Sequence, residues 1–123
     1  MASILIVDYA PEIRDLFKEI LEINGYSVLE ATDAAQGLVI LAENREIELV
    51  ITDLEMPGID GFEFGRRIRA AYPGKKMILV ITLGGSHEVA ERAINGIGFS
   101  AVVVKPVRAN VFIGIVERVL AAK

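Results

Sequence analysis

Two aspartates, a threonine and a lysine occupy equivalent points in this sequence, each closing or following a short apolar run. Asp8 follows Ile4–Val7, Asp53 follows Leu49–Thr52, Thr82 ends Met77–Thr82, and Lys105 follows Ala101–Val104. If those runs are parallel strands, their carboxyl ends share one edge, and the four side chains meet in a crevice where ligands collect. A carboxylate there can attack phosphorus and become an acyl phosphate. The arriving phosphoryl group is highly charged and needs cations and hydrogen-bond donors on its oxygens. Lys105 offers a point positive charge and Thr82 a rotatable hydroxyl. Paired carboxylates repel a phosphate unless a hard cation joins them, and Mg²⁺, bound by carboxylate, carbonyl and water oxygens, suits that place. Asp53 is the central group, because the chain breaks immediately after it into the turn Leu54-Glu55-Met56-Pro57-Gly58.

The elements that must position these groups follow from hydrophobic period. The five runs are Ile4–Val7, Ser27–Glu30, Leu49–Thr52, Met77–Thr82 and Ala101–Val104. Four are β-branched and almost unbroken in apolar character, as expected of strands covered on both faces. Ser27–Glu30 is more polar and belongs nearer an edge. Between the runs, Ile13, Leu16, Phe17, Ile20 and Leu21 form one helical face, opened by Pro11 and ended by Asn24-Gly25. Asp33 and Gln36 read as a capping pair for a second helix with Leu38 and Leu41 inward. Phe64, Ile68 and Ala71 or Tyr72 mark a third, stopped by Pro73-Gly74. Ser86 reads as the cap of a fourth carrying Val89, Ala90, Ala93 and Ile94 before Gly96, and Phe112, Ile115, Val116, Val119 and Leu120 stripe a fifth. Strict alternation predicts an α/β fold: a single doubly wound (βα)5 domain over residues 1–123, with a five-stranded parallel sheet and helices on both faces.

Composition bounds the function. The chain has 123 residues, 53% hydrophobic and 24% charged, enough for one core, with no apolar stretch long enough to span a bilayer. It contains no cysteine, which excludes a disulfide framework and a thiolate metal site and suits a cytoplasmic setting. A formal charge of −4 argues against nucleic-acid binding through overall charge. Arg66, Arg67, Arg69, Lys75 and Lys76 cluster around the third helix and read as a solvated face. His87 reads as an incidental exposed residue, and Phe62 and Phe64 as core or crevice wall.

On these residues the chain resembles the receiver domains of two-component response regulators. The resemblance covers residues 3–121 and rests on Ile4-Leu5-Ile6-Val7-Asp8, Thr52-Asp53-Leu54-Glu55-Met56-Pro57-Gly58, Asp60-Gly61, Ile81-Thr82 and Lys105-Pro106. It implies a flavodoxin-like fold with Asp53 as phospho-acceptor, Thr82 as switch hydroxyl and Lys105 as phosphate contact. It also implies Mg²⁺ held by Asp8, Asp53 and the Glu55 backbone carbonyl, and a cis Lys105–Pro106 peptide. The implied role is signalling rather than enzymatic, beyond self-phosphorylation and self-dephosphorylation. The implied partners are a histidine kinase or phosphotransfer protein, and an output domain or partner protein reached through the fourth helix, fifth strand and fifth helix. No DNA-binding domain follows, so a stand-alone regulator and a receiver cut from a longer protein are both expected possibilities.

Three positions depart from the family pattern. Tyr9 stands where a second metal-binding acid is expected, and a phenol of pKa ~10 carries no charge at neutral pH. It is bulky enough to lean across the site, and metal affinity should fall unless Glu12 or Glu55 compensates. Leu83 replaces a small residue beside Thr82, although Gly84-Gly85 keeps the loop permissive, and Val102 replaces the aromatic that turns inward on activation. They motivate an alternative: a degenerate receiver acting as a phosphorylation-independent interaction domain. A phosphatase of the haloacid-dehalogenase type is disfavoured because Asp53-Leu54-Glu55 follows the third strand instead of the first. A flavodoxin is disfavoured because no Ser/Thr-rich loop follows Ile4–Val7.

Overall fold

The computed structural model describes residues 2–82 and 86–122. Strands β1 (Ser3–Val7), β2 (Ser27–Ala31), β3 (Ile47–Asp53), β4 (Lys76–Ile81) and β5 (Ala101–Val104) form one parallel sheet in the order β2-β1-β3-β4-β5. The polar second run is indeed an edge strand, paired only with β1. Helices α1 (Pro11–Ile23), α2 (Ala34–Glu43), α3 (Gly61–Ala71), α4 (Ser86–Glu91) and α5 (Ala109–Ala121) connect the strands or close the chain. This is the expected α/β, doubly wound, flavodoxin-like arrangement.

Side chains alternate across the pleat, so each central strand feeds two cores. Leu5, Val7, Val50, Leu79 and Ile81 meet Leu41 of α2, Phe64 and Ile68 of α3. Ile4, Ile6, Leu49, Ile51 and Val80 meet Phe17 and Leu21 of α1 and Phe112 and Val116 of α5. Phe17 and Phe112 stack with centroids 4.5 Å apart. Each such buried side chain supplies roughly 1.5–3 kcal/mol, so removal of the apolar stripes from water holds the strand ends in place.

The local signals read from the sequence are mostly realised. Pro11 opens α1, and the Asp33 carboxylate accepts from the Gln36 amide at 2.9 Å. The Gln36 side chain reaches back to the Thr32 amide at 2.7 Å, one residue earlier than a standard capping box requires. Tyr72 ends α3 half-buried, and Ala71 is exposed. Two expectations need correction. β4 stops at Ile81, leaving Thr82 one residue beyond the strand. The fourth helix does not end before Gly96: after Glu91 it widens into a π-helical turn, Arg92–Ile97, and terminates at Gly98 with φ +105°. The wider turn carries an extra residue, so Ala93 and Ile97 point inward while Ile94 is 43% exposed. The capping expected of Ser86 lies outside the described side chains.

Gly65 shows how α3 meets this turn. A Cβ there would stand 2.5 Å from the ring of Phe99, which is buried. Gly65→Ala is therefore expected to cost about 1–3 kcal/mol through overpacking. The loss appears as a lower urea midpoint at unchanged slope. Shrinking the ring with Phe99→Leu should recover part of it, and strictly additive losses in the double variant would show that the two residues do not share this space.

Candidate functional site

Asp8 leaves β1 directly into a tight turn. Its amide donates to the Ala31 carbonyl at 3.2 Å, and its Oδ1 accepts from the Ala10 amide at 2.9 Å. The residue is buried, and Oδ2 has no hydrogen-bond partner among the described residues. The next turn of α1 brings Arg14 beneath this loop. Its guanidinium donates to the Asp8 carbonyl at 2.7 Å and the Tyr9 carbonyl at 3.2 Å, and lies 3.5 Å from Glu30 on β2.

Asp53 is the last residue of β3, adjacent to β1, so the two acids arrive at neighbouring strand ends. Its Oδ1 accepts from the Leu54 amide at 2.9 Å. The Thr52 hydroxyl donates to the Asp53 carbonyl at 2.9 Å, and Gly61 presses on the same carbonyl, where a Cβ would approach to 2.5 Å. The Gly61 amide donates to Leu54 O at 2.7 Å, which docks the start of α3 on the turn. Lys105 closes the arrangement: its Nζ lies 3.6 Å from Asp8 Oδ2 and 3.6 Å from Asp53 Oδ1. Both are ion-pair distances, longer than good hydrogen bonds. The Lys105–Pro106 peptide is cis, as expected.

Burial raises the pKa of the Asp53 carboxyl above the ordinary carboxylate range, and the charge of Asp8 pushes it the same way. Lys105 and the Leu54 amide pull it down without cancelling the rise. The site therefore holds two acids against one ammonium.

Thr82 is exposed and shares a cavity of about 140 Å³ with Asp53, Leu54, Glu55, Ile81 and Val89. Glu55 is exposed, and so is Glu12. Tyr9 is 64% exposed, so its ring projects into solvent and does not lie packed across the acids. Val102 is half-buried on β5, packed against the core that includes Phe64 and Phe99. Leu83, Gly84 and Gly85 lie outside the described residues. The structure thus brings Asp8, Asp53 and Lys105 into direct contact, with Thr82 and Glu55 on the adjoining cavity. The orphaned, buried Asp8 Oδ2 beside a second carboxylate is an oxygen environment that fits Mg²⁺.

Sequence reasoning overlooked Arg14, whose signal was its place one turn into α1 opposite the polar residue Glu30 of an edge strand. It noticed Gly61 only as part of a motif, whereas its lack of a side chain lets α3 abut Asp53. The basic cluster is largely engaged. Arg66 and Arg67 pair with Glu63, Arg69 binds the carbonyls of Pro73 and Gly98, and Lys75 and Lys76 bind those of Ile47, Leu120 and Ala122.

A raised folded-state pKa means that Asp53 contributes stability when protonated and loses it as pH rises through that pKa. Asp53→Asn should therefore melt higher than the parent near pH 7. The gap should close below about pH 4, the ordinary carboxylate range, where both side chains are neutral. Thermal melts at the two pH values check this; an equal or lower melting temperature for the variant at pH 7 contradicts it.

Comparison with known proteins agrees with this geometry. The response regulator receiver domain family matches residues 4–117. The chain is 46% identical over 67 residues to the sensor protein EvgS of Escherichia coli O157:H7, covering 54% of this chain and 6% of that protein. It is 33% identical over 90 residues to a chemotaxis protein CheY homologue of Campylobacter jejuni, covering 71% of this chain and 69% of that one. A response regulator receiver domain protein from Clostridium thermocellum superimposes with a TM-score of 0.90 at 31% identity, over 98% of this chain and 94% of its own. The chain thus spans only a small part of the sensor protein. With the strand order, the acids at the strand ends and the family match in agreement, the chain belongs to the response regulator receiver domains of two-component systems.

Proposed function

We propose that this chain, as a single receiver domain over residues 1–123, accepts one phosphoryl group on Asp53 from a histidine kinase or phosphotransfer protein. The observation that carries the reading is Lys105 Nζ standing 3.6 Å from both Asp8 and Asp53 at adjoining strand ends. Leu54 holds Asp53 Oδ1, which leaves Oδ2 as the attacking oxygen. The O–P bond forms as the donor's P–N bond breaks, and the electron pair returns to the imidazole. Lys105 and the Thr82 hydroxyl then serve the phosphoryl oxygens. Asp8, Asp53 and the Glu55 carbonyl are the groups that would hold Mg²⁺, which supplies Lewis-acid neutralisation of phosphoryl charge when bound.

The reading continues to an output. Thr82 shares its cavity with Val89 of α4, so a new charge on Asp53 has a short route to that helix. On the proposed face of α4, β5 and α5, the exposed Val111 of α5 lies beside Val102 and Val104 of β5, an apolar surface suited to an output domain or partner protein. The shift between two populations of this surface is the signal. Receiver domains are signalling domains, and we assign no enzymatic turnover beyond the domain's own phosphate. No helix among the described residues is long and apolar enough to cross a membrane, and a cytoplasmic setting suits the assigned partners.

A second reading is a receiver that binds its partner without phosphorylation. It is favoured by one observation: among the described residues no three acidic, histidine or cysteine side chains gather as a metal set. Incubation with Mg²⁺ and a small acyl phosphate, read by intact mass, separates the two. The phospho-acceptor reading expects one phosphoryl group, lost in Asp53→Ala. It also expects labelling at lower Mg²⁺ in Tyr9→Asp, since an added carboxylate gives the cation another anionic oxygen. No labelling of either the parent or Tyr9→Asp at any Mg²⁺ concentration rejects it in favour of the second reading.

A further inference from the structure

The turn that carries Asp8 is held in an unusual way. Ala10 occupies the N-cap of α1 and offers no side-chain cap, so the helix start lacks the hydroxyl or carboxylate that commonly fixes such a turn. Two other contacts replace it. Asp8 Oδ1 accepts from the Ala10 amide at 2.9 Å, and Arg14 donates to the carbonyls of Asp8 at 2.7 Å and Tyr9 at 3.2 Å. Arg14 is itself anchored from a different element: Glu30 of β2 lies 3.5 Å from its Nε, and Lys18 holds the other oxygen of Glu30 at 3.3 Å.

We propose that Arg14, anchored by Glu30, is the positioning residue that aims the Asp8 carboxylate into the acid site. With Oδ1 tied to the turn and the backbone clamped from below, Oδ2 is buried and lies 3.6 Å from Lys105 Nζ. A planar guanidinium suits the task because one side chain serves two carbonyls and a carboxylate at once, which an ammonium on a flexible stem does not reproduce. The clamp has a second consequence. The Asp8 and Tyr9 carbonyls both accept from Arg14, which ties the backbone at position 9 to the same clamp. Of the groups assigned to the cation, Asp8 Oδ2 is the one whose direction Arg14 sets.

The cation part of this inference rests on the reading of Asp8 as a Mg²⁺ ligand; the positioning part does not. Three-bond couplings from the Asp8 backbone to Cγ, recorded without metal, report its χ1 rotamer directly. The parent should show one rotamer and Arg14→Ala a mixture. Titration with Mg²⁺, followed by the amide shifts of Ala10 and Leu54, should show half-saturation about tenfold higher in Arg14→Ala, the scale at which outer supports of ligands act. Arg14→Lys should fall between. Lys18→Ala removes an ion pair to Glu30 without touching the clamp, so it should leave rotamer and half-saturation at parental values. A folded Arg14→Ala with a single parental rotamer and parental half-saturation overturns the proposal. If Arg14→Ala does not fold, Glu30→Gln, which loosens the anchor, decides by the same two measurements. If the parent binds no Mg²⁺, the metal reading fails, and the rotamer alone decides whether Arg14 positions Asp8.

Discussion

One ammonium shared by two carboxylates is the constraint around which this molecule is arranged. Lys105 lies at equal distance from Asp8 and Asp53, and attraction at such range in a partly buried site is worth several kcal/mol in gross terms, on the order of 4 kcal/mol per pair at an effective dielectric near 20. It neutralises one negative charge and leaves the other uncompensated, which is why burial and Asp8 together keep the Asp53 carboxyl above its ordinary range. A site with surplus negative charge is poised to take up a cation. It is poorly disposed to receive a phosphoryl group without one.

The sheet order explains how those three side chains meet. β1 and β3 are neighbours, so Asp8 and Asp53 emerge side by side, whereas β5 stands beyond β4 at the far edge. Neighbouring strands lie about 4.8 Å apart, so a cation from β5 must cross the end of β4 to reach either acid. A lysine spans that gap where a shorter side chain would not. Its backbone is tied down at the far end, with the Lys105 amide donating to Ile81 O at 2.8 Å. The two hydrophobic layers, meeting on opposite faces of β1, β3 and β4, give these ends fixed positions to reach from.

Much of this was legible in the sequence, and for a physical reason. Fully buried parallel strands leave almost continuous apolar runs, and a parallel sheet sends every carboxyl end to one edge, so reading the residue after each run finds Asp8, Asp53 and Lys105 together. Strand existence and order of appearance are local signals; contacts between elements are not. Ile94 was misplaced because helical period assumes 3.6 residues per turn, and the π-helical turn at Arg92–Ile97 breaks that period. The cation–π contact of Arg92 with Phe62, 4.2 Å from the ring centroid, joins α3 to this turn and leaves no trace in either element's own pattern. Gly65 and Phe99 read separately as a weak helix residue and an ordinary apolar one, and only their proximity shows that each requires the other. Arg14 escaped notice for the same reason: on α1 it is one more polar residue, and its partners are backbone carbonyls and a glutamate on another element.

Tyr9 bears on this site through its charge and not its bulk, because its ring is exposed. A phenol packed over the acids would close the site sterically. A phenol in solvent leaves the crevice open and alters only its charge. On the proposed reading the consequence is electrostatic: with a phenol in place of the second acid that the resemblance implies, a metal would meet a weaker field and fewer anionic oxygens. The same loss relaxes repulsion against an incoming phosphoryl group, because the surplus charge that must be neutralised is smaller. On the proposed reading, competence at Asp53 turns on the balance of these two effects, with Asp8 as the one acid left after β1. That places unusual weight on the geometry of the turn after β1, where a helix without a side-chain cap relies on a guanidinium from its own second turn to hold the Asp8 carbonyl and leave Oδ2 facing the site.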